Sequence, residues 1–364
     1  MKNTIFTSLI TLIILLFAYL LIGIWGIFEI KKNSKLLFSN KENYVFHKKY
    51  SEKIHHLRDV DRWGVKKNEY LFSEINNNGI KTILLQGDSW IESISEIKTS
   101  KNLLEKFAKK NNFNVFNAGI TSYAPSLMHK QYEILKEDFN ILPNIILIYI
   151  DQTDIGDEFC RYKNNKVYSK QGNLIKISRE KFSRATYDYT KIYIYSELNF
   201  ENNFQKILKF PIKKSEYFLK RNINSVKNIL TNGYQNRNQY KCSFKQIMKE
   251  LFYFNLEAKN NFKKSLTEYL KYLKQEKKIE QIFIASFPHK NHLTKKYRVN
   301  VSNYIDEALS THKDDRIKHI NMSKMNFKKN QIDKIYIKND LASHLKSEFH
   351  TNIFLKNILS YLEN

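Results

Sequence analysis

The pattern of apolar and polar positions divides the chain into an N-terminal apolar run and a longer part in which short apolar and amphipathic segments alternate. Residues 5–28 (IFTSLITLIILLFAYLLIGIWGIF) form 24 consecutive positions without a charge. About 20 apolar residues suffice to cross a bilayer as a helix, and no small-residue cleavage site follows the run. The pattern therefore predicts an uncleaved transmembrane anchor over 1–30 of a single-pass protein, because no second run of this kind occurs.

Beyond a polar connector over 31–80, short β-rich runs alternate with helical patterns. The predicted strands are 82–86, 114–117, 145–150, 281–286 and 317–321, and the predicted helices are 91–110, 125–138, 256–277, 301–311 and one after 344. Buried strands that alternate with helices indicate βαβ units and a mostly parallel sheet covered on both faces. We therefore expect an α/β domain over 81–364.

The interval over about 160–255 interrupts this alternation, since it is far longer than one crossover helix requires. We expect an insertion there, with a tyrosine-rich run (Tyr187, Tyr189, Tyr193, Tyr195) and a basic, apolar-striped segment over 204–230. The favoured interpretation of that segment is a pair of surface helices broken near Pro211. The alternative is a face that rests on an anionic membrane or glycan. Cys160 and Cys242 also fall in the insertion, and would form a disulfide outside the cytoplasm or stay free inside it.

Composition excludes several classes of protein. The 364 residues are 42% hydrophobic and carry a net charge of +25, but only nine of the 61 basic residues are arginine. Arginine makes most bidentate contacts to bases and phosphates, so we expect no specific nucleic-acid partner. Two cysteines exclude a multi-cysteine zinc module. His55 and His56 are adjacent and point apart on a helix, which is poor geometry for one metal ion, so neither a metal nor a cofactor is predicted.

Polar residues that can support nucleophilic catalysis follow successive predicted strands. Gly87, Asp88 and Ser89 come directly after the first strand and open a helix. Asn117, Ala118 and Gly119 end the second strand; Asp151, Gln152, Thr153 and Asp154 follow the third; and Asp340 and His344 precede the last helix. Ligands of such sheets bind at the carboxyl ends of the strands. A nucleophile, an amide donor and an Asp–His pair are therefore expected to meet there.

This order of blocks resembles the SGNH (GDSL-type) hydrolase family over about 80–155 and 280–360. The resemblance implies a three-layer α/β/α, flavodoxin-like fold, with Ser89 as the nucleophile and His344 as its general base. It further implies that Asp340 orients His344, and that the Ser89 and Gly119 amides form an oxyanion hole. Such a hole must meet the charge that develops on the substrate oxygen.

The sequence departs from the family pattern in two places. Thr153 occupies the position of the family's oxyanion-hole asparagine, and Gln152 reaches the hole only if the turn differs. Asp340 precedes His344 by four residues, where the family spacing is three. We expect Trp90, Tyr123 and Asp154 beside the cleft as candidate pocket residues, although core packing is the more common role of such aromatic residues.

The leading hypothesis is a membrane-anchored serine esterase or acyltransferase facing the bacterial periplasm, with O-acyl, chiefly O-acetyl, groups of a cell-envelope or exported glycan as substrate. The bacterial and glycan parts rest on the resemblance. A second hypothesis is a catalytically weakened scaffold that binds envelope glycan. A third is a cytoplasm-facing basic module, which a literal count of Lys31, Lys32 and Lys35 behind the anchor would favour. The oligomeric state stays open.

Overall fold

The computed structural model describes residues 2–34, 37, 38, 40–54, 79–177, 194–231, 255–294, 299–322, 325, 327–340 and 342–363. His55, His56, Cys242, Tyr187, Tyr189 and Tyr193 lie outside these ranges. The described residues fall into two compact units. The first unit holds 2–34, 37, 38, 40–48 and 194–231, and the second holds the remainder.

The second unit is built on a five-stranded sheet. Its strands are β1 (Lys81–Gln86), β2 (Phe113–Asn117), β3 (Ile145–Tyr149), β6 (Gln281–Ser286) and β7 (Ile317–Asn321). They are all parallel, in the order β2-β1-β3-β6-β7. This is the order of a flavodoxin-like, doubly wound sheet when only these five strands are counted. The predicted fold class is confirmed, and the predicted strands match to within one residue at each end.

The described elements also include a separate hairpin, thirteen α-helices with defined bounds, a helical stretch over 194–199 and a 3₁₀ helix at Lys163–Asn165. The hairpin pairs β4 (Lys166–Tyr168) with β5 (Leu174–Ile177) in antiparallel fashion. The helices are α1 (Lys2–Lys32), α2 (Lys41–Lys53), α3 (Ser89–Glu96), α4 (Lys98–Asn111), α5 (Pro125–Phe139), α6 (Thr153–Gly156), α7 (Asn203–Thr231), α8 (Leu256–Lys274), α9 (Lys290–Thr294), α10 (Val301–Ser310), α11 (Lys329–Ile335), α12 (Ser347–Phe349) and α13 (Lys356–Glu363). Two π-helical segments, Asp157–Tyr162 and His350–Leu355, follow α6 and α12 directly.

Helices cover both faces of the sheet because its strands are apolar on both faces. On one face Trp90, Tyr149, Phe283 and Phe354 belong to a single buried cluster that includes α3, α4 and α13. On the other face Gln86 of β1 donates to the Met128 carbonyl of α5 at 2.9 Å. The three layers place the carboxyl ends of β1, β2 and β3 along one edge of the sheet.

The first unit contains the apolar helix and part of the predicted insertion. Within α1, residues 5–32 are long and apolar enough to cross a membrane. Helix α7 packs against α1, and it runs through Pro211 as one continuous helix. The expectation of two helices broken at Pro211 is therefore wrong. Packing of α7 on α1 holds the helix together at Pro211, although proline leaves the Ile207 carbonyl without its helical donor.

Candidate active site

Ser89 stands at the junction between β1 and α3. Asp88 is the N-cap residue of α3, and its Oδ1 accepts a hydrogen bond from the Trp90 amide at 3.0 Å. Ser89 is therefore the first residue of the helix, where the backbone N–H groups and the helix dipole favour negative charge. Its side chain is half-buried rather than enclosed.

A tight loop before α12 carries the other two members of the predicted triad. Asp340 Oδ2 accepts from the His344 amide at 2.7 Å, and Asp340 Oδ1 accepts from the Ala342 amide at 3.2 Å. Asn339 and Ser343 adopt left-handed backbone angles, φ 61° and 60°, which give the loop its sharp turns. The spacing of four residues between Asp340 and His344 is accommodated in this way.

The structure brings Ser89, His344 and Asp340 into one hydrogen-bonded chain. Ser89 Oγ lies 2.5 Å from His344 Nε2, and His344 Nδ1 lies 2.6 Å from Asp340 Oδ2. An ionised carboxylate only accepts, so Nδ1 carries the proton and Nε2 is left to accept from the Ser89 hydroxyl. This is the arrangement that a hydroxyl nucleophile and its base require.

Electrostatics favour a charged pair at His344 and Asp340. Burial opposes the charge on His344, but the hydrogen bond and attraction to Asp340, with further attraction to Asp151 and Glu92, raise the pKa of its imidazole above the usual value. Burial likewise works to raise the pKa of the Asp340 carboxyl, but its hydrogen bonds and attraction to His344 outweigh burial and lower that pKa. The site is therefore suited to stabilising an imidazolium ion.

Three buried carboxyl groups lie next to the triad. Asp88, Asp151 and Asp154 each offer an oxygen, and these oxygens lie within 4.8 Å of one another. Burial, followed by repulsion from Asp151, raises the pKa of both Asp88 and Asp154 well above the usual range. No N–H or hydroxyl donor among the described residues reaches Asp151 Oδ2. The hydrogen bond between the Asp88 and Asp151 carboxyls also raises the pKa of Asp88, as expected where Asp88 keeps a proton and donates it to Asp151.

The predicted oxyanion-hole residues have their donors engaged with other groups. The Thr153 hydroxyl donates to Asp151 Oδ1 at 2.6 Å. The Gln152 side chain bonds to the backbone of Val299 and Val301, at 3.3 and 2.9 Å. The Gly119 amide donates to the Asn117 side chain at 3.0 Å. In this structure none of these three donors is directed at Ser89.

Gly119 has a packing role that the sequence did not reveal. A Cβ atom at this position would lie 2.4 Å from the Glu92 nitrogen and 2.6 Å from the Ile91 carbonyl carbon. The loop after β2 can therefore approach the first turn of α3 only with glycine at 119. The same loop is tied to α3 by the Thr121 amide, which donates to the Glu92 carboxylate at 2.9 Å.

The three candidate pocket residues are all buried, which agrees with core packing as the more common role of the two aromatic residues among them. Trp90 is 2% exposed, and Tyr123 and Asp154 are not exposed. The Trp90 ring packs 5.4 Å from the ring of Tyr149 and 5.1 Å from that of Phe354. A large ring directly after the nucleophile thus anchors α3 in the core.

Two further carboxylates of this region form ion pairs. Glu158, fully buried, lies 2.7 Å from Lys166 Nζ, and Asp157 lies 3.0 Å from Arg161 Nε. Both ion pairs hold the segment after α6 against its neighbours rather than facing a substrate.

Sequence reasoning missed two histidines that support the site. His350 Nε2 donates to the Trp90 carbonyl at 2.9 Å, and burial lowers the pKa of its imidazole to about 4. His289 Nε2 lies 2.8 Å from Ser343 Oγ, beside the catalytic loop. The available signal for His289 is its position three residues after β6, at the carboxyl edge of the sheet.

A second Ser–His–Asp chain occurs in the described part of the molecule. Ser286 Oγ lies 3.0 Å from His319 Nε2, and His319 Nδ1 lies 2.6 Å from Asp306 Oδ1. Ser286 is fully buried and also contacts the Ser302 hydroxyl at 2.8 Å. Since no ester can reach a buried hydroxyl, exposure distinguishes Ser89 as the candidate nucleophile.

Comparison with known proteins adds little. No family model matches the chain, and no curated protein matches it. Among solved structures, the chain is similar to an acetyl xylan esterase from the rumen bacterium Butyrivibrio proteoclasticus, with 9% identity and a TM-score of 0.36. The match covers 78% of this chain and 63% of the esterase. At this level the likeness carries no argument about function, which must rest on the site itself.

Proposed function

We propose that the protein is a membrane-anchored serine esterase or O-acyltransferase of the SGNH type. The observation that carries this proposal is the hydrogen-bonded chain from Ser89 Oγ through His344 to Asp340, at the carboxyl edge of a doubly wound sheet. Its substrates are O-acyl groups, chiefly O-acetyl groups, on a cell-envelope or exported glycan. The glycan follows from the sequence resemblance.

In the first step His344 Nε2 takes the Ser89 proton while Oγ attacks the ester carbonyl. The Asp340 carboxylate stabilises the resulting imidazolium, and the amides at the N-terminus of α3 face the developing oxyanion. His344 then returns the proton to the departing alcohol, which leaves an acyl group on Ser89. Water or a sugar hydroxyl gives its proton to His344 and releases the acyl group, and this choice separates hydrolysis from transfer.

Two features support an anchored domain outside the cytoplasm. Residues 5–32 have the length and hydropathy of a membrane span, and none of the most apolar window is buried. Cys160 is disulfide-bonded. Disulfides persist mainly in oxidising compartments. These features support a second unit outside the cytoplasm, and the sequence resemblance extends this to an anchor in the bacterial inner membrane and a periplasmic domain.

Fluorophosphonate labelling of the full chain in detergent tests the nucleophile. We expect labelling that disappears in Ser89→Ala and falls strongly in His344→Ala, together with turnover of a small acetyl ester. Ser286→Ala is the matched control, because Ser286 also contacts a histidine but is buried. Undiminished labelling in a folded Ser89→Ala variant would refute the assignment.

A second candidate function is a weakened scaffold that binds acylated glycan without efficient turnover. The engagement of the Thr153 hydroxyl with Asp151 favours it, since that hydroxyl has a single proton to donate. A folded wild-type chain that neither labels nor turns over the ester, yet binds acetylated glycan, would support this candidate over the enzyme.

A further inference from the structure

Helix α7 packs along the apolar helix α1 and leaves an apolar stripe uncovered. We propose that α7 lies in the interface of an anionic phospholipid bilayer, with this stripe inserted beside α1. The inference rests on the proposed membrane anchor but is independent of the catalytic assignment.

The contact between the two helices depends on two glycines of α1. A Cβ atom at Gly23 would lie 2.2 Å from the Ile207 carbonyl oxygen, and one at Gly26 would lie 2.3 Å from the Phe210 ring. The Trp25 and Phe210 rings also meet edge to face, with centroids 5.8 Å apart. Small residues that permit close backbone approach are typical of helix contacts within membranes.

The backbone carbonyls of α7 beside Pro211 face α1. Proline has no N–H, so the Ile207 carbonyl loses its helical donor, and that carbonyl is the atom that faces Gly23. The neighbouring Leu208 carbonyl accepts from the Tyr19 hydroxyl. A tyrosine inside an apolar run must find a partner for its hydroxyl, and α7 supplies it.

The position of the contact along α1 gives the depth of α7. Tyr19 and Gly26 precede Phe28, the end of the charge-free run, by nine and two residues. At 1.5 Å per residue these distances are about 14 Å and about 3 Å along the helix. Interfacial amphipathic helices bury their apolar face about 5–10 Å into the headgroup–acyl boundary, a range that lies between these two depths.

The uncovered surface of α7 has an apolar and a basic side. Its exposed large apolar residues fall on one stripe: Phe204, Leu208, Ile212, Phe218 and Leu219. The helix sequence contains seven basic residues and one acidic residue. Lys206 lies two residues from Phe204 and therefore on the opposite side of the helix. Lys209 and Lys213 pair with Glu201 and Glu197, so the remaining basic residues supply the net positive charge of α7. An apolar stripe on one side and basic residues on the other fit a bilayer surface with anionic headgroups.

Depth-dependent quenching on the full chain in vesicles tests this arrangement. An environment-sensitive fluorescent amino acid would be placed singly at Phe204, at Lys206 or at Leu12 of α1. Vesicles of phosphatidylcholine with phosphatidylglycerol would carry a nitroxide on the upper acyl chain. We expect a blue shift and loss of fluorescence for the Phe204 probe, little quenching for Lys206, and weaker quenching of Phe204 in pure phosphatidylcholine.

The probes at Phe204 and Leu12 distinguish the position of α7, its preference for anionic lipid and the presence of the anchor. Quenching at Leu12 without quenching at Phe204 would overturn the inference and leave the anchor intact. The same result with a dimeric chain would assign the stripe to a second copy. Equal quenching of Phe204 in both vesicle types would overturn the preference for anionic lipid. No quenching at Leu12 would remove the anchor and this inference together, while fluorophosphonate labelling would still report the catalytic assignment.

Discussion

Replacing Asp340 by asparagine removes the negative charge whose Oδ2 lies 2.6 Å from His344 Nδ1. During attack by Ser89 the imidazole becomes an imidazolium, so the lost attraction acts on the transition state. Two unit charges centred about 4 Å apart attract by about 4 kcal/mol at an effective dielectric constant of about 20. At about 1.4 kcal/mol per factor of ten, this is about 10³ in rate.

Loss of orientation adds to the loss of charge. An asparagine that turns its NH₂ group toward Nδ1 favours the tautomer with the proton on Nε2, which can no longer accept from Ser89. In a Ser-His-Asp protease the corresponding change lowers kcat by about 10⁴. We therefore expect Asp340→Asn to slow acylation by about 10³- to 10⁴-fold.

The pH dependence of kcat/KM provides a second, independent test of the role of Asp340. His344 must be neutral to act as base, so the rate rises with pH through its pKa. Since Asp340 raises that pKa, Asp340→Asn should move the acidic limb of kcat/KM to lower pH. Glu92 and Asp151 also raise the pKa of His344. His350 lies close enough to repel a charged His344. These three neighbours are unchanged in Asp340→Asn, so the shift of the pH profile reports the loss of the Asp340 charge.

The assay is the second-order rate of fluorophosphonate labelling, with acetyl-ester turnover measured as a function of pH. Asp306→Asn is the matched control, because Asp306 also contacts a histidine Nδ1 at 2.6 Å, but behind the buried Ser286. We expect this control to keep the wild-type rate. A folded Asp340→Asn variant that labels within about tenfold of wild type, or a control that falls as far, would refute the triad assignment.

Three further predictions concern the residues around the site. Thr153→Asn supplies two N–H donors, so one can remain on Asp151 while the other meets the oxyanion; ester turnover should rise, by up to about 10². Asp154→Asn removes a carboxyl whose folded pKa is raised, and whose stabilisation is therefore present at low pH and lost as pH rises. The free energy of unfolding of this variant, measured in urea, should therefore gain on that of wild type as the pH rises above the usual range of a carboxyl group, and a difference independent of pH would contradict this. Glu158→Gln leaves Lys166 buried without its ion-pair partner and should cost about 3–5 kcal/mol in urea unfolding, whereas the exposed pair partner Glu363→Gln should cost little.

The sheet could be predicted from the sequence because its strands carry their own signal. The run over 145–149 is apolar at every position and buried at every position, as a central parallel strand requires. Ser89 and His344 could be predicted for a related reason. Each follows a strong local signal, a strand-to-helix turn or a polar loop before a helix, and parallel topology brings such positions to one edge.

The roles of the Gly119 amide and the Thr153 hydroxyl could not be predicted from the sequence. The first depends on packing against residues far away in the chain, and the second on a competing acceptor two residues earlier. The sequence predicts Gly119 as an amide donor, but only the packing of its loop against α3 shows why a side chain is excluded there. The sequence predicts Thr153 as a substitute for asparagine, but its hydroxyl donates a hydrogen bond to Asp151, two residues earlier. In the same way, nothing in the sequence around Pro211 shows that another helix faces the carbonyl it leaves free.

Asp151 affects both the Thr153 hydroxyl and the pKa of His344. It follows β3 directly, accepts the Thr153 amide and hydroxyl at 2.6 Å each, and contacts the buried Asp88 that caps the nucleophile's helix. Its attraction to His344 adds to that of Asp340 in raising the pKa of the imidazole. One side chain therefore engages the hydroxyl of the proposed oxyanion donor while it raises the pKa of the proposed base. If the protein is an enzyme, Asp151→Asn should weaken His344 as a base and release the Thr153 hydroxyl. A lower kcat, as in Asp340→Asn, would show that the strength of the base limits turnover. A higher kcat would show that the missing donor to the oxyanion limits it.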